Sequence, residues 1–129
     1  MRVSPADVVA RAKATIKECT VREVQQNLDG ATLLIDIREA PEYARGHIPG
    51  AILLPRGLLE FEIHGLVDST STAADVAPED REIVLYCGTG GRSALAAATL
   101  DAMGYRNAVS MAGGIVAWAA LQLPIDLPR

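Results

Sequence analysis

The stretch IVLYCGTGGRS, residues 83–93, joins an apolar run to a glycine-rich loop that contains a cysteine. Its first four residues, Ile83 to Tyr86, are typical of a strand that is buried on both faces of a sheet. A helix is expected from Ser93 to Met103, where Gly104 ends it. The segment therefore predicts a strand, a short loop and a helix in succession, which is the unit from which parallel sheets are built.

The same alternation of strands and helices continues on both sides of this segment. Further strands are expected at Glu18–Thr20, Leu33–Ile37, Ala51–Leu54 and Ala108–Met111. Further helices are expected from the Ser4 cap to about Lys17, from the Thr20-x-x-Glu23 capping box to Leu28 before Asp29-Gly30, and at Pro41–Ala44, Leu58–Ile63 and Ile115–Leu121. The chain from Gly65 to Asp80 is polar and predicts a loop, with residues 68–72 the most flexible part. The order indicates one α/β unit with a mainly parallel sheet covered by helices on both faces.

Composition excludes several classes of function. The chain has 129 residues, a formal charge of −4 and an apolar share of 50%. This acidic balance gives no reason to expect nucleic acid or an anionic membrane surface as a partner. No apolar run approaches the roughly 18–20 residues that a membrane-spanning helix needs. Asp7, Arg11 and Lys13 interrupt the apolar stretches near the N-terminus, so no signal-peptide core is expected and the chain is predicted to be cytosolic.

The two cysteines, Cys19 and Cys87, are too few for a disulfide framework or a cysteine-based metal site. Neither a metal nor a cofactor is therefore expected. Cys19 lies in a predicted strand and is interpreted as a small, at least half-buried residue. Cys87 directly follows a buried strand, at the edge of an α/β sheet where functional residues collect.

The loop after Cys87 has the features of an anion cradle. Gly88, Gly90 and Gly91 allow backbone N–H groups to converge, and the following helix brings the positive end of its dipole. Arg92 adds a fixed positive charge. Such surroundings lower the pKa of a thiol and make it nucleophilic. The plainer interpretation is a buried cysteine in a turn, but the order of strand, cysteine, glycines, arginine and helix favours a reactive one.

Two chemistries use a cysteine in an anion-cradling loop. In a phosphatase the thiolate attacks phosphorus, and the loop must surround a phosphoryl group. In a sulfurtransferase the thiolate takes a sulfane sulfur as a persulfide and passes it to a thiophilic acceptor. A single sulfur atom is smaller than a phosphoryl group, so a shorter loop suffices for it.

Three ordered motifs resemble those of the rhodanese family. They are LIDIRE (34–39) with Glu42-Tyr43 and GHIPGA (46–51), then YCGTGGRS (86–93), then GGIVAW (113–118). The resemblance covers the chain from about Cys19 to Leu127. It implies a five-stranded parallel sheet flanked by helices, with a rhodanese-like domain at 18–129 and residues 1–17 as an N-terminal helical extension.

The resemblance also implies roles for individual residues. Cys87 is the expected catalytic residue and carries the persulfide. The expected substrate-binding residues are those of the loop: Gly88, Thr89, Gly90, Gly91, Arg92 and Ser93. Asp36 and Arg38 are expected to support the site, because a buried carboxylate such as Asp36 requires a partner and Arg38 is near in sequence.

The loop length separates the two chemistries. Four residues lie between Cys87 and Arg92. The cysteine loops of cell-cycle phosphatases and arsenate reductases have five there, so sulfur transfer is favoured over those alternatives. Thiosulfate sulfurtransferases often have a basic residue where this chain has Thr89, and the Cys87–Gly90 stretch is somewhat similar to mercaptopyruvate sulfurtransferases. The donor is left open among thiosulfate, mercaptopyruvate and a persulfide.

The expected partners are a small anionic sulfur donor and a thiophilic acceptor such as cyanide or a thiol, which could belong to a protein. A sulfur-carrier or regulatory module that presents its persulfide to another protein is the non-enzymatic alternative.

Other residues receive structural interpretations. His47 is expected to brace a turn through its ring nitrogens, and Trp118 to lie in the core. Arg92, a cation at a helix start, is expected to meet an anionic substrate or a carboxylate. Four residues could border the site or belong to an amphipathic helix: Arg56, Leu58, Leu59 and Phe61.

Overall fold

The computed structural model describes residues 1–28, 30–70 and 76–127. Within them, five strands form one sheet in the order β1-β5-β4-β2-β3, and every neighbouring pair is parallel. The strands are β1 Lys17–Cys19, β2 Leu33–Asp36, β3 Ile52–Leu53, β4 Ile83–Tyr86 and β5 Ala108–Met111. The predicted five-stranded sheet is therefore confirmed, and it is wholly parallel in this part of the chain.

The helices alternate with the strands. They are α1 Pro5–Lys13, α2 Val21–Asn27, α3 Ala40–Arg45, α4 Leu59–Ser69, α5 Gly91–Ala102 and α6 Gly114–Ala120, with 3₁₀ turns at Arg56–Leu58 and Pro78–Asp80. The predicted N-terminal caps are present. Ser4 Oγ accepts from the Asp7 amide over 3.1 Å, and Thr20 with Glu23 forms a capping box.

Two core clusters show that helices cover both faces of the sheet. Alternate residues of β2, Leu33 and Ile35, pack with α4 and α5 on one face. Leu34, which points the other way, packs with α2 and α6 on the opposite face. A strand buried on both faces is largely apolar, which explains the apolar runs Leu33–Ile35 in β2 and Ile83–Tyr86 in β4.

Two predicted helices differ from the structure by four or more residues at one end, and the other predicted helices differ by at most two residues at either end. The first helix ends at Lys13 rather than near Lys17, because Lys17 already pairs with Val109 in the sheet. The fourth helix continues beyond Ile63 to Ser69, into residues that we expected to form a loop. Its buried face consists of Leu59, Ile63 and Val67 at a spacing of four residues, and burial of this apolar stripe stabilises the longer helix.

Parts of other expectations lie outside the described residues. They are residues 71–75 of the loop predicted at 65–80, with 71 and 72 in its most flexible part, Asp29 of the predicted helix end, and residues 128–129 of the predicted domain. Among the described residues, no helix is long and apolar enough to span a bilayer.

Candidate active site

Cys87 lies in the loop between β4 and α5, beyond the carboxyl end of a central strand. Its side chain faces the interior, and the residue is only 1% exposed. Gly90, which precedes the first residue of α5, has a φ of +107°, a left-handed conformation that favours glycine. This conformation turns the chain so that the Gly90 amide points back at the cysteine sulfur.

Three groups of the loop contact the sulfur. The Gly90 amide donates to Sγ over 3.1 Å, and the Ser93 amide donates over 3.4 Å. Ser93 Oγ lies 3.5 Å from Sγ. Once Sγ is a thiolate it can only accept, so the hydroxyl of Ser93 is then the donor.

The pKa of Cys87 reflects a balance between burial and these hydrogen bonds. Burial by itself raises the pKa of the thiol. The Ser93 hydroxyl and the backbone N–H groups of Ser93, Gly90 and Thr89 stabilise the thiolate and outweigh burial, so the pKa of Cys87 is lower than its ordinary value. The loop thus holds a buried thiol that ionises more readily than an exposed one.

Ser110 is a member of this network that sequence reasoning missed. Its Oγ lies 2.8 Å from Ser93 Oγ, and both serines are fully buried. Ser110 belongs to β5 and pairs with Leu85 of β4, two residues before Cys87. When Ser93 donates to the thiolate, Ser110 can donate to Ser93 Oγ, which completes a chain of two hydroxyls behind the sulfur. The signal in the sequence was a single hydroxyl residue inside the apolar strand AVSM.

The start of α6 fixes the other side of the loop. The Ile115 amide donates to the Cys87 carbonyl over 2.9 Å, and the Val116 amide donates to the Gly88 carbonyl over 3.1 Å. Gly114 permits this approach, because a Cβ there would lie 2.3 Å from the Gly88 carbonyl oxygen. The glycine pair of the third motif therefore lets the helix dock directly onto the cysteine loop.

Arg92 meets a carboxylate of the chain itself. Its Nη1 and Nη2 bind Glu42 of α3 over 2.8 and 3.0 Å, in a two-point ion pair at the surface. The hydrogen bond from Arg92 lowers the pKa of Glu42 to about 2. The carboxylate expected as a partner of Arg92 is therefore Glu42, and it balances the charge of Arg92 before any substrate binds.

Asp36 and Arg38 form a buried ion pair behind the loop. Arg38 Nη2 lies 2.8 Å from Asp36 Oδ2, and Arg38 Nε donates to Oδ1 over 3.0 Å. Arg38 also donates to the Gly46 carbonyl over 2.7 Å. The partner expected for Asp36 is therefore Arg38. Their hydrogen bonds run to the segment after α3, and they reach the cysteine loop through Tyr86, over whose ring Arg38 lies at 5.9 Å.

His47 has the surroundings of a bracing residue. Its Nδ1 lies 3.1 Å from the Tyr43 carbonyl, which fixes this nitrogen as the donor. The ring stacks on that of Tyr43 at 3.7 Å, and Nε2 lies 3.8 Å from Asp126 Oδ2. These contacts hold the turn after α3 against the C-terminal segment, and none of them involves the cysteine loop.

Two other sequence interpretations match the structure. Trp118 is 3% exposed in the core, and its indole N–H donates to the Pro124 carbonyl over 2.8 Å. Cys19 is half-buried, and burial raises its pKa to about 11. It is therefore a protonated structural residue at neutral pH.

The segment Arg56–Phe61 has the amphipathic pattern that is one of its two interpretations. Leu59 is buried in the core, whereas Leu58 and Phe61 are exposed. Arg56 bonds Thr99 of α5 over 2.9 Å and thereby links this segment to the helix that follows the cysteine loop.

A cavity of about 540 Å³ includes Cys87, Thr89 and Arg92 in its lining. A second cavity, of about 290 Å³, lies on the α2 side of the sheet and is lined by Cys19, Val24 and Val84 among others. Among residues 1–28, 30–70 and 76–127, no group of three or more His, Cys, Asp or Glu side chains is placed to hold a metal ion.

Comparison with protein families matches residues 20–121 to the rhodanese-like domain. A sulfurtransferase of Allochromatium vinosum is 40% identical over 97 residues, which are 75% of this chain and 80% of the relative. A probable adenylyltransferase/sulfurtransferase of Mycobacterium tuberculosis, MoeZ, is 39% identical over 121 residues, or 92% of this chain. The match spans only 28% of MoeZ.

A solved structure from Rhodopseudomonas palustris has a similar fold along almost the whole chain. It superposes with a TM-score of 0.78 and 30% identity, and the match covers 98% of this chain and 96% of that one. That protein is described as being of unknown function and a possible tyrosine phosphatase. The similar proteins are thus described as sulfurtransferases or as a possible phosphatase, which are the two chemistries considered for the cysteine loop.

Proposed function

Because the chain belongs to the rhodanese-like domain family, we propose that it is a sulfurtransferase that holds the transferred sulfur on Cys87 as a persulfide. The observation that carries this proposal is the buried sulfur that accepts from Gly90 and Ser93 and whose pKa is lowered by its hydrogen bonds. The sulfurtransferase relatives support the general activity. Thiosulfate as donor and cyanide or a thiol as acceptor are part of the proposal.

The first half-reaction loads the cysteine. The Cys87 thiolate attacks the outer sulfur of thiosulfate and forms a new S–S bond. The S–S bond of thiosulfate breaks, and sulfite leaves with its electron pair. Residues Gly88 to Ser93 bind the anion during this step, because the backbone N–H groups of Thr89, Gly90 and Ser93 face the sulfur and the loop leads into the start of α5. Asp36 and Arg38 act indirectly, by holding the segments on which the loop rests.

The second half-reaction removes the transferred sulfur from Cys87. Cyanide or a thiolate attacks the outer sulfur of the persulfide, the S–S bond to Cys87 breaks, and the Cys87 thiolate is restored. The hydrogen bonds that lower the pKa of Cys87 also make it a better leaving group in this step. We propose the cytosol as the compartment, since both half-reactions require a reduced cysteine.

The test measures the intact mass of the protein after incubation with thiosulfate. We expect a gain of one sulfur atom at Cys87 and the formation of thiocyanate on addition of cyanide. Cys87→Ser should lose both signals, and Cys19→Ser should keep both. An unchanged mass with thiosulfate, mercaptopyruvate and an organic persulfide alike would exclude the proposal.

A phosphatase is the second candidate, favoured by the description of the Rhodopseudomonas palustris neighbour. The four residues between Cys87 and Arg92 argue against it, because the phosphatase loops considered above have five there. The pairing of Arg92 with Glu42 also leaves that cation less free to bind a phosphoryl group. Hydrolysis of p-nitrophenyl phosphate that depends on Cys87 would favour the phosphatase.

A sulfur carrier is the non-enzymatic candidate. It is favoured by the description of a Bacillus subtilis relative, 29% identical over 107 residues, as a putative sulfur carrier protein. Slow thiocyanate formation together with rapid transfer to a protein thiol would favour this candidate.

A further inference from the structure

The cavity beside Cys87 has one wall that lies outside the residues matched to the family, which begin at residue 20. The loop and α5 supply one side of it: Cys87, Thr89, Gly91, Arg92 and Leu95. The N-terminal segment supplies the other: Val3, Pro5, Val8 and Val9. Each side chain from this segment is apolar. Helix α1 and the residues just before it therefore form part of the site that Cys87 occupies.

The packing of α1 against α5 fixes this wall in place. Gly91 presents no side chain at the contact, and Val9 Cγ2 comes within 3.6 Å of the position that a Cβ of Gly91 would take. Ala12, one turn further along α1, is buried. The charged residues Asp7 and Arg11 are exposed. The apolar face of α1 is thus turned towards α5 and the cavity.

Two valines of this wall remain accessible although they border an apolar space. Val3 is 41% exposed and Val8 is 42% exposed. They offer no hydrogen bond to a small inorganic anion such as thiosulfate or cyanide. Among the side chains that line the cavity, polar groups come from Thr89 and Arg92, and Arg92 is already paired with Glu42. The α1 wall therefore favours contact with an apolar group of a ligand rather than with an anionic group.

The size of the cavity also indicates a small organic molecule as its ligand. Its volume of about 540 Å³ lies within the roughly 300–1,000 Å³ typical of sites for small organic molecules. A single sulfur atom on Cys87 would fill little of it. Since the cavity begins at the cysteine, a ligand that fills it would have its sulfur at Cys87 and its carbon portion against α1.

We propose that the N-terminal helix is a specificity element that favours, as sulfur acceptor, an organic thiol whose sulfur is attached to an apolar chain or ring. This inference rests on the proposed persulfide of Cys87. The acceptor thiolate RS⁻ bonds to the outer sulfur of the persulfide, and the bond between the two sulfurs on Cys87 breaks. The electron pair stays on Cys87 Sγ, and the acceptor leaves as the persulfide RSS⁻, so no oxidant or reductant is required.

The test compares three acceptors on protein loaded beforehand with thiosulfate. They are benzyl mercaptan as the apolar thiol, 2-mercaptoethanol as the small polar thiol, and cyanide. Single-turnover loss of the added sulfur is followed by intact mass, and the thiol rates are corrected for the fraction of thiolate. We expect the unsubstituted protein to react faster with benzyl mercaptan than with 2-mercaptoethanol.

Variants identify the wall as the cause. Val8→Ser should slow the reaction with benzyl mercaptan about three- to tenfold more than the reaction with cyanide, because it removes apolar contact area that only the benzyl group uses. Serine and valine have similar helix propensities, so α1 is retained. Val8→Leu should keep the preference. Val76→Ser changes a valine that is 46% exposed and does not line the cavity, and should have no effect.

The outcomes separate this inference from the proposed function. If no donor loads Cys87, both fail together. If Cys87 loads and cyanide unloads it, but benzyl mercaptan has no advantage or Val8→Ser slows all three acceptors equally, the role of α1 is overturned and sulfur transfer stands.

Discussion

The two cysteines of this chain lie on either side of one serine and have opposite properties. Cys19 Sγ lies 3.7 Å from the Ser110 carbonyl, and Cys87 is linked to the Ser110 hydroxyl through Ser93. Burial raises the pKa of Cys19 to about 11, and the nearby charge of Glu23 acts in the same direction. Burial also opposes ionisation of Cys87, yet the pKa of this thiol is lowered.

The comparison shows that burial does not decide whether a cysteine is reactive. Cys87 is the more buried of the two, but amides and a hydroxyl donate to its sulfur. Cys19 has an acceptor, the Ser110 carbonyl, as its neighbour. A carbonyl stabilises the protonated thiol, whereas donors stabilise the thiolate. The supply of donors, set by backbone direction at the end of a strand, is what distinguishes the two sites.

The largest expected effect is on the titration of the two thiols. Thiolate absorbance in the ultraviolet should show one step below the pKa of an ordinary cysteine and another near pH 11. Cys87→Ala should remove the lower step and Cys19→Ala the upper one. A lower step that persists in Cys87→Ala would reverse the assignment on which the comparison rests.

The surroundings of Cys87 that come from neighbouring residues in the sequence could be predicted from the sequence. Strand β4, the cysteine, the glycines and the start of α5 are consecutive, so the order of residues predicts that backbone amides converge near the sulfur, although it does not specify that Gly90 and Ser93 supply them. The buried strands could also be predicted, because Leu33 to Ile35 and Ile83 to Leu85 are continuous apolar runs.

The features that join distant parts of the chain could not be predicted in this way. Ser110 reaches Ser93 only because β5 lies beside β4 in the sheet, which the order of elements along the chain does not specify. Glu42 reaches Arg92 across 50 positions of sequence. The apolar spacing of Val8 and Val9 predicts a helix, but their place beside Cys87 depends on how α1 packs on α5.

A smaller effect is expected from Ser110→Ala. The variant removes the hydroxyl that can donate to Ser93 Oγ, so Ser93 becomes a weaker donor to the thiolate and the pKa of Cys87 should rise. Persulfide formation at neutral pH should slow about two- to fivefold, as expected for the loss of one hydrogen bond. The pH profile of loading should move to higher pH, and the rate at high pH should recover.

This pH profile distinguishes a tuning role of Ser110 from a purely structural one, which would lower the rate equally at every pH. The high-pH step of Cys19 is the internal control. Cys19 contacts the backbone carbonyl of Ser110, which the variant retains, so its titration should not move.

The smallest effect is expected from Glu42→Gln, which removes the carboxylate that balances Arg92. Glu42 has a pKa of about 2 in the folded chain and an ordinary value of 4.5. Because the folded pKa is the lower one, the ion pair contributes stability above about pH 4.5 and loses it as the pH falls towards 2. The pair is exposed, so its contribution should be below about 1 kcal/mol. Urea unfolding between pH 7 and pH 2 should show a free energy of unfolding that falls less steeply with acid in the variant.

The same variant leaves the charge of Arg92 unbalanced beside the loop, so the thiolate step of Cys87 should move to lower pH while that of Cys19 stays in place. Equal movement of both steps would mean that the charge acts on the whole fold rather than on the cysteine loop.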